Sequence, residues 1–205
     1  MLHVQYSCHL INILQTRWII INDITGKPKN SSNKIKTVST HMSNIWVELD
    51  GWKAKLRFSA CHFIPDHPKC GKLHGHTYAV SIKILGSKNG DFIVDFEDLK
   101  NIVSDVCNQL DHVVLIATND DEVDVKIDAS GLKELEVFVG KGAKRYVFPR
   151  EDVVLLPINS ISAEDLCCYL TDKICERLDT SSFSEVNVRL DEGLGQGAGC
   201  VKRFL

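Results

Sequence analysis

The segment Cys70-Gly71-Lys72-Leu73-His74-Gly75-His76-Thr77-Tyr78 constrains the fold more than any other in the 205-residue chain. It places two imidazoles one residue apart, with a thiol four positions upstream. Residues i and i+2 project to the same face only on an extended strand, so His74 and His76 can hold one ion only if this segment is β. The continuation agrees, because Tyr78, Val80, Ile82 and Ile84 alternate with Ala79, Ser81 and Lys83 in the period of a half-buried strand. A third ligand is expected from the preceding segment. There Trp52, Ala54, Leu56, Phe58 and Ala60 share one parity, Lys53, Lys55 and Arg57 the other, and the next apolar-face position is His62. Three neutral nitrogens from His62, His74 and His76 would leave a fourth position open, the arrangement of a catalytic zinc site.

The spacing predicts the remaining elements. A long strand runs from Ile45 to about Ile64, bent at Gly51, and a loop with Cys70 joins it to an antiparallel partner over residues 74–85. Asp95 with Asp98 reads as a helix N-cap, followed by Leu99, Ile102, Val103, Val106 and Leu110 at helical spacing, with the helix ending at Asp111-His112. Residues 118–157 read as an insertion. Within it Leu135–Val139 and Arg145–Phe148, separated by Gly140-Lys141-Gly142, form a hairpin. Ser162 with Asp165 caps a second helix lined by Leu166, Leu170, Ile174 and Leu178. Val186, Val188 and Leu190 alternate in a third strand, and a fourth follows the glycine-rich turn. Strand, strand, helix, insertion, helix, strand, strand gives an α+β domain, a four-stranded antiparallel sheet with two helices on one face. No spacing demands a parallel crossover.

Residues 1–41 do not fit this pattern. Their apolar runs are interrupted by Gln15, Thr16 and Arg17, which suits neither a signal peptide nor a membrane span. Residues 25–34 read as a polar linker. The expectation is a poorly structured extension from an early start codon, ahead of a functional domain over 42–205. Hydrophobic residues at 44%, charged residues at 25% and a net charge of -3 describe an ordinary soluble domain. Scattered lysines and arginines give no basic tract for nucleic acid, so a polyanionic substrate would need a local basic pocket. Eight cysteines show no CxxC framework, and with no signal peptide they point to a reducing cytoplasm.

Three further positions carry chemistry. Asp111-His112 follows a helix end, where such a pair also suits the dipole. Glu192 ends the apolar face of Val186, Val188 and Leu190, either in water or lining a pocket. Cys70 is a buried thiol, a fourth zinc ligand, or a nucleophile or base, and the spacing alone leaves these open.

Six ordered motifs then carry a resemblance over about residues 45–205, the insertion apart. They are Phe58-Ser59-Ala60-Cys61-His62, Cys70-x3-His74-Gly75-His76-x-Tyr78, Val94-Asp95-Phe96-x2-Leu99-Lys100, Leu110-Asp111-His112, Ser162-Ala163-Glu164-Asp165-Leu166 and Arg189-Leu190-Asp191-Glu192. Together they resemble the 6-pyruvoyltetrahydropterin and 6-carboxytetrahydropterin synthase family. That resemblance implies the tunnelling fold, with subunits pairing their sheets into trimers that stack as a hexamer, and active sites at subunit interfaces. It implies Zn²⁺ on His62, His74 and His76, a proton-transfer group of Cys70, Asp111 and His112, and a pterin anchor at Glu192, with Ser162 and Glu164 near the pterin pocket.

The three-residue spacing from Cys70 to His74 resembles the carboxytetrahydropterin synthases that feed 7-deazaguanine formation, whereas the mammalian-type pyruvoyl synthase has a longer one. The insertion and the ending Glu192-Gly193-x-Gly195-Gln196-Gly197-Ala198 resemble archaeal versions, which implies an archaeosine precursor as the end product. The implied substrate is 7,8-dihydroneopterin triphosphate, with a 6-pyruvoyl product or a non-catalytic zinc-stabilised scaffold as alternatives. Two departures bear on the choice of substrate side chain: Ile161-Ser162 stands where Pro-Thr is common, and Gly193 replaces the usual threonine after the glutamate.

Overall fold

The computed structural model describes residues 45–127 and 133–204, so the readings of residues 1–41 and of a start at Met42 lie outside the described residues. The alternation after His76 does produce a strand, β3 (His74–Gly86), and the main sheet is built on it. Along one side β3 pairs antiparallel with β1 (Ile45–Leu49) and β2 (Arg57–His62) in succession; along the other it pairs with β9 (Phe183–Glu192), which pairs with β10 (Gly197–Arg203).

The expected single strand over 45–64 is two. Leu49 stands opposite Ile82 and Arg57 opposite Ala79, so residues 50–56 loop out against only Val80 and Ser81. Gly51 makes the excursion possible, because a Cβ there would lie 2.6 Å from the Val80 carbonyl. Its N–H donates to Ser81 Oγ at 2.9 Å, and Leu56 O accepts from Val80 N at 2.9 Å.

Helix α1 (Phe96–Asn108) starts where the cap places it: Asp95 Oδ1 accepts from Glu97 N at 2.7 Å and Asp98 N at 3.3 Å. Its Leu99, Val103 and Val106 are buried. Helix α2 (Ala163–Cys175) is capped by Ser162, whose Oγ accepts from Asp165 N at 3.3 Å, and it buries Leu166, Leu170 and Ile174. Both helices enter one core with Tyr78, Val80, Ile82 and Ile84 of β3 and Val186, Val188 and Leu190 of β9. Burying each of these large apolar side chains contributes about 1.5–3 kcal/mol.

The sheet is mixed rather than four-stranded and antiparallel. Strand β4 (Val113–Ala117) lies parallel to β2, and β8 (Val153–Leu156) parallel to β4, giving seven strands in the order β10-β9-β3-β2-β4-β8, with β1 also on β3. The runs Val113-Val114-Leu115-Ile116-Ala117 and Val153-Val154-Leu155-Leu156 do not alternate, which removes the periodic signal of a half-buried strand. The expected hairpin forms as β6 (Glu134–Val139) and β7 (Lys144–Pro149), and β5 (Val123–Ile127) pairs with β6 to make a second, three-stranded sheet. Leu135, Val137 and Val139 of that sheet pack with Phe63, Ile116 and Val153. Among the described residues no helix is long and apolar enough to cross a membrane.

Candidate active site and metal centre

The β2–β3 register places His62 directly opposite His74, and Ala60 opposite His76. All three histidines continue the inward apolar faces of their strands, so the imidazoles converge, with ring centroids 4.5 Å (His62–His74), 5.2 Å (His62–His76) and 5.1 Å (His74–His76) apart. Each ring offers one nitrogen within 4.8 Å of the other two.

Two rings are oriented by backbone carbonyls. His62 Nδ1 lies 2.8 Å from Ile161 O, and His74 Nδ1 lies 2.7 Å from Lys72 O. A carbonyl only accepts, so in each neutral ring Nδ1–H donates and Nε2 keeps its lone pair. His62 is 1% exposed, and its Nε2 has no hydrogen-bond partner among the described residues. Burial, reinforced by the neighbouring His74 and His76, pushes the His62 pKa down to about 4, so the ring is uncharged at neutral pH. A buried, unpaired lone pair is costly unless something satisfies it. A divalent cation held by three neutral imidazoles meets that need, so the residues fit a metal of the zinc type, with carbonyls fixing the rings from behind.

The cluster opens into a cleft of about 650 Å³ that also receives Cys70, Ser162, Glu164 and Glu192. Glu192 is placed by β9, opposite Tyr78 in the β3–β9 register. The fully buried Tyr78 donates its hydroxyl to Glu192 Oε1 at 3.3 Å. Burial and the Glu192 charge drive the Tyr78 pKa well above the ordinary phenol value, which keeps it a donor.

Cys70 is half-buried on the β2–β3 loop. That loop is closed on itself: Cys70 N donates to His67 Nδ1 at 2.9 Å, Ile64 N donates to Cys70 O at 2.8 Å, and Gly71 N donates to His67 O at 2.8 Å. Lys144 Nζ of β7 donates to Gly71 O, which ties the second sheet to the thiol loop. Lys69 and Lys72 line the cleft, supplying the local positive charge that the scattered sequence pattern did not reveal. Ser162 is half-buried with its hydroxyl engaged in the α2 cap, and Glu164 is exposed at the rim.

Asp111 and His112 stand apart from this cleft. Asp111 Oδ1 accepts from Ser59 N at 2.7 Å, Asp111 Oδ2 lies 2.8 Å from His112 Nδ1, and His112 N donates to Ser59 O at 2.6 Å. Burial works against the Asp111 charge, but the hydrogen bonds from Ser59 and His112 outweigh it and hold the carboxyl below its usual value. His112 adopts φ = 60°, a left-handed conformation uncommon outside glycine. It borders a second cleft of about 600 Å³ with Ser59, Cys61 and Thr77, residues of the opposite strand parity to the three histidines. Seven of the nine residues named from the sequence therefore share one cleft; His112 lines the other, which has His76 in common with it, and Asp111 lines neither. Tyr78, His67 and Lys144 were not singled out for the site. Only Tyr78 left a sequence signal, a phenol within an apolar strand face.

The sequence model of the family described as 6-pyruvoyl tetrahydropterin synthase matches residues 52–202. A protein of Methanocaldococcus jannaschii described as a putative 6-carboxy-5,6,7,8-tetrahydropterin synthase is 40% identical over 164 residues, covering 78% of this chain and 97% of that protein. The 6-carboxy-5,6,7,8-tetrahydropterin synthase of Bacillus subtilis is 37% identical over 86 residues, 40% of this chain and 55% of its own. Among solved structures, the 6-pyruvoyl tetrahydropterin synthase of Plasmodium vivax superposes with a TM-score of 0.71 at 26% identity, covering 79% of this chain and 99% of that one.

Proposed function

Starting from a chain that belongs to the 6-pyruvoyl tetrahydropterin synthase family, we propose a zinc-dependent lyase that converts 7,8-dihydroneopterin triphosphate to 6-carboxy-5,6,7,8-tetrahydropterin, releasing acetaldehyde and triphosphate. The observation that carries this reading is the convergence of three inward-facing histidines, two of them oriented by backbone carbonyls, with Cys70 and Glu192 in one cleft. The 40% identity to the Methanocaldococcus jannaschii protein supports the carboxy product over the pyruvoyl one. The product would enter 7-deazaguanine synthesis leading to archaeosine.

His62, His74 and His76 would hold Zn²⁺, which when bound supplies Lewis-acid polarisation of side-chain oxygens, so that protons on adjacent carbons become removable. Glu192 accepts two parallel hydrogen bonds from the 2-amino-pyrimidinone edge of the pterin, and Tyr78 holds its carboxylate in place. Lys69 and Lys72 attract the triphosphate. Cys70, as thiolate, takes a proton from the substrate side chain and returns one. Asp111 orients His112 and stabilises its charged form as the partner in that transfer.

In one chain His112 and Cys70 line different clefts, and Asp111, which pairs with His112, lines neither. We therefore assign the relay to two copies of the chain, Cys70 from one and Asp111–His112 from the next, in an assembly built as a dimer of trimers. Incubating the zinc-loaded protein with dihydroneopterin triphosphate and identifying products by mass spectrometry tests the reading. Acetaldehyde with a 6-carboxy pterin is expected. A 6-pyruvoyl product would move the assignment to the pyruvoyl reaction, and unchanged substrate from an intact zinc-bound assembly would reduce the protein to a binding scaffold.

A further inference from the structure

The described cysteines outside the metal cleft are not equivalent. Cys107, Cys167 and Cys175 are buried, and burial raises all three thiols. Cys61 is exposed on the β2 face opposite the histidines. Cys168 and Cys200 form a pair. Cys168 is exposed on α2, Cys200 lies on the β10 face turned toward that helix, and their Sγ atoms are 2.8 Å apart. That is about 0.8 Å from the S–S bond length of about 2.05 Å.

The surrounding contacts keep the two elements in register. One helical turn beyond Cys168, Asp172 Oδ1 pairs with Lys202 Nζ at 2.7 Å, two strand positions beyond Cys200. On the other side Cys167 Sγ lies 3.7 Å from Ala198 O. Contacts flank the sulfur pair along both elements, so its approach belongs to the packing of α2 on β10 rather than to one free rotamer.

We propose that Cys168 and Cys200 are a reversible oxidation site, converted by a small-molecule disulfide into an intrachain disulfide that staples α2 to the edge strand β10. One protein thiolate attacks a sulfur of the small disulfide, breaking its S–S bond and releasing one thiol. The second protein thiolate attacks the resulting mixed disulfide, forms the Cys168–Cys200 bond and releases the other thiol. Two electrons pass from the protein to the small disulfide, and the two protons lost from the protein appear on the released thiols.

The staple matters because both joined elements reach the metal cleft. The first turn of α2 brings Ser162 and Glu164 to it, and β10 begins there at Gly197. Closing the crosslink over a separation of 32 residues constrains the unfolded chain and fixes two cleft walls together without touching a cleft residue. The site is independent of the reaction assigned above.

The test uses the full-length, metal-loaded protein, incubated with oxidised glutathione, blocked with N-ethylmaleimide and digested without reductant. Mass spectrometry should find one peptide pair joined through Cys168 and Cys200, two hydrogens lighter than the separate peptides and dissolved by dithiothreitol. The thermal midpoint should rise by roughly 5–10 °C on oxidation. Cys168→Ser and Cys200→Ser should each abolish both the linkage and the rise, the remaining thiol carrying at most one glutathione. Recovery of Cys168 and Cys200 as separate maleimide or glutathione adducts from the folded wild-type protein would overturn the proposal.

Discussion

His62 carries a buried lone pair on Nε2, and its pKa cause fixes a pH dependence. Unfolded, the ring titrates near 6.5; folded and metal-free, it titrates near 4. Between those values the unfolded chain binds a proton that the folded chain refuses. The metal-free protein therefore keeps this stability in full above about pH 6.5 and loses it as pH falls through about 4, on the order of 3 kcal/mol in all. Urea midpoints of metal-stripped protein should fall across that window, and fall less in His62→Gln; equal slopes would contradict an uncharged, buried His62. Glu192 makes the second residue-scale prediction. Glu192→Gln keeps the shape but removes the charge proposed to accept two hydrogen bonds from the pterin, so KM should rise about 10- to 100-fold while zinc content is unchanged. The histidines were legible because three of them share strand parity with apolar neighbours. The carbonyls of Ile161 and Lys72 that orient them were not, since a backbone acceptor leaves no residue signature.

At the level of elements, both helices begin where a side-chain oxygen takes up their first free N–H groups. Asp95→Ala should cost about 1 kcal/mol in thermal or chemical unfolding and leave turnover alone, because α1 does not reach the metal cleft. Ser162→Ala should cost a similar amount and also shift KM, because that cap stands in the cleft wall. The thiol loop gives a third case. Lys144→Met removes the donor to Gly71 O and should lower kcat with zinc still bound, read by steady-state kinetics beside metal analysis. Caps, helical spacing and the half-buried strands β2, β3 and β9 could be read from local pattern. Strands β4 and β8 could not, for their runs lack alternation and their parallel partners are distant in sequence. The break between β1 and β2 was hidden for another reason: residues 52–56 keep an alternating burial pattern while looping away from the sheet.

Taken as a whole molecule, one chain gathers His62, His74, His76, Cys70 and Glu192 in one cleft, whereas His112 lines another. The proposed relay then requires a second copy, which would link catalysis to assembly. The Cys168–Cys200 pair is likewise a product of tertiary packing, invisible at a spacing of 32 residues. We assign catalysis to a proton relay at the metal cleft, with Cys70 and His112 drawn from neighbouring copies. The most direct measurement is turnover of dihydroneopterin triphosphate by zinc-loaded Cys70→Ala, zinc-loaded His112→Ala and an equimolar co-assembled mixture of the two, with zinc content determined on the same samples. Each variant alone should retain zinc and lose activity by roughly 10²- to 10⁴-fold. Random mixing should restore about one quarter of wild-type turnover, since a site then needs a His112→Ala copy supplying Cys70 beside a Cys70→Ala copy supplying His112. Full turnover by Cys70→Ala with zinc bound would contradict the relay, and a mixture no more active than its components would contradict its division between copies.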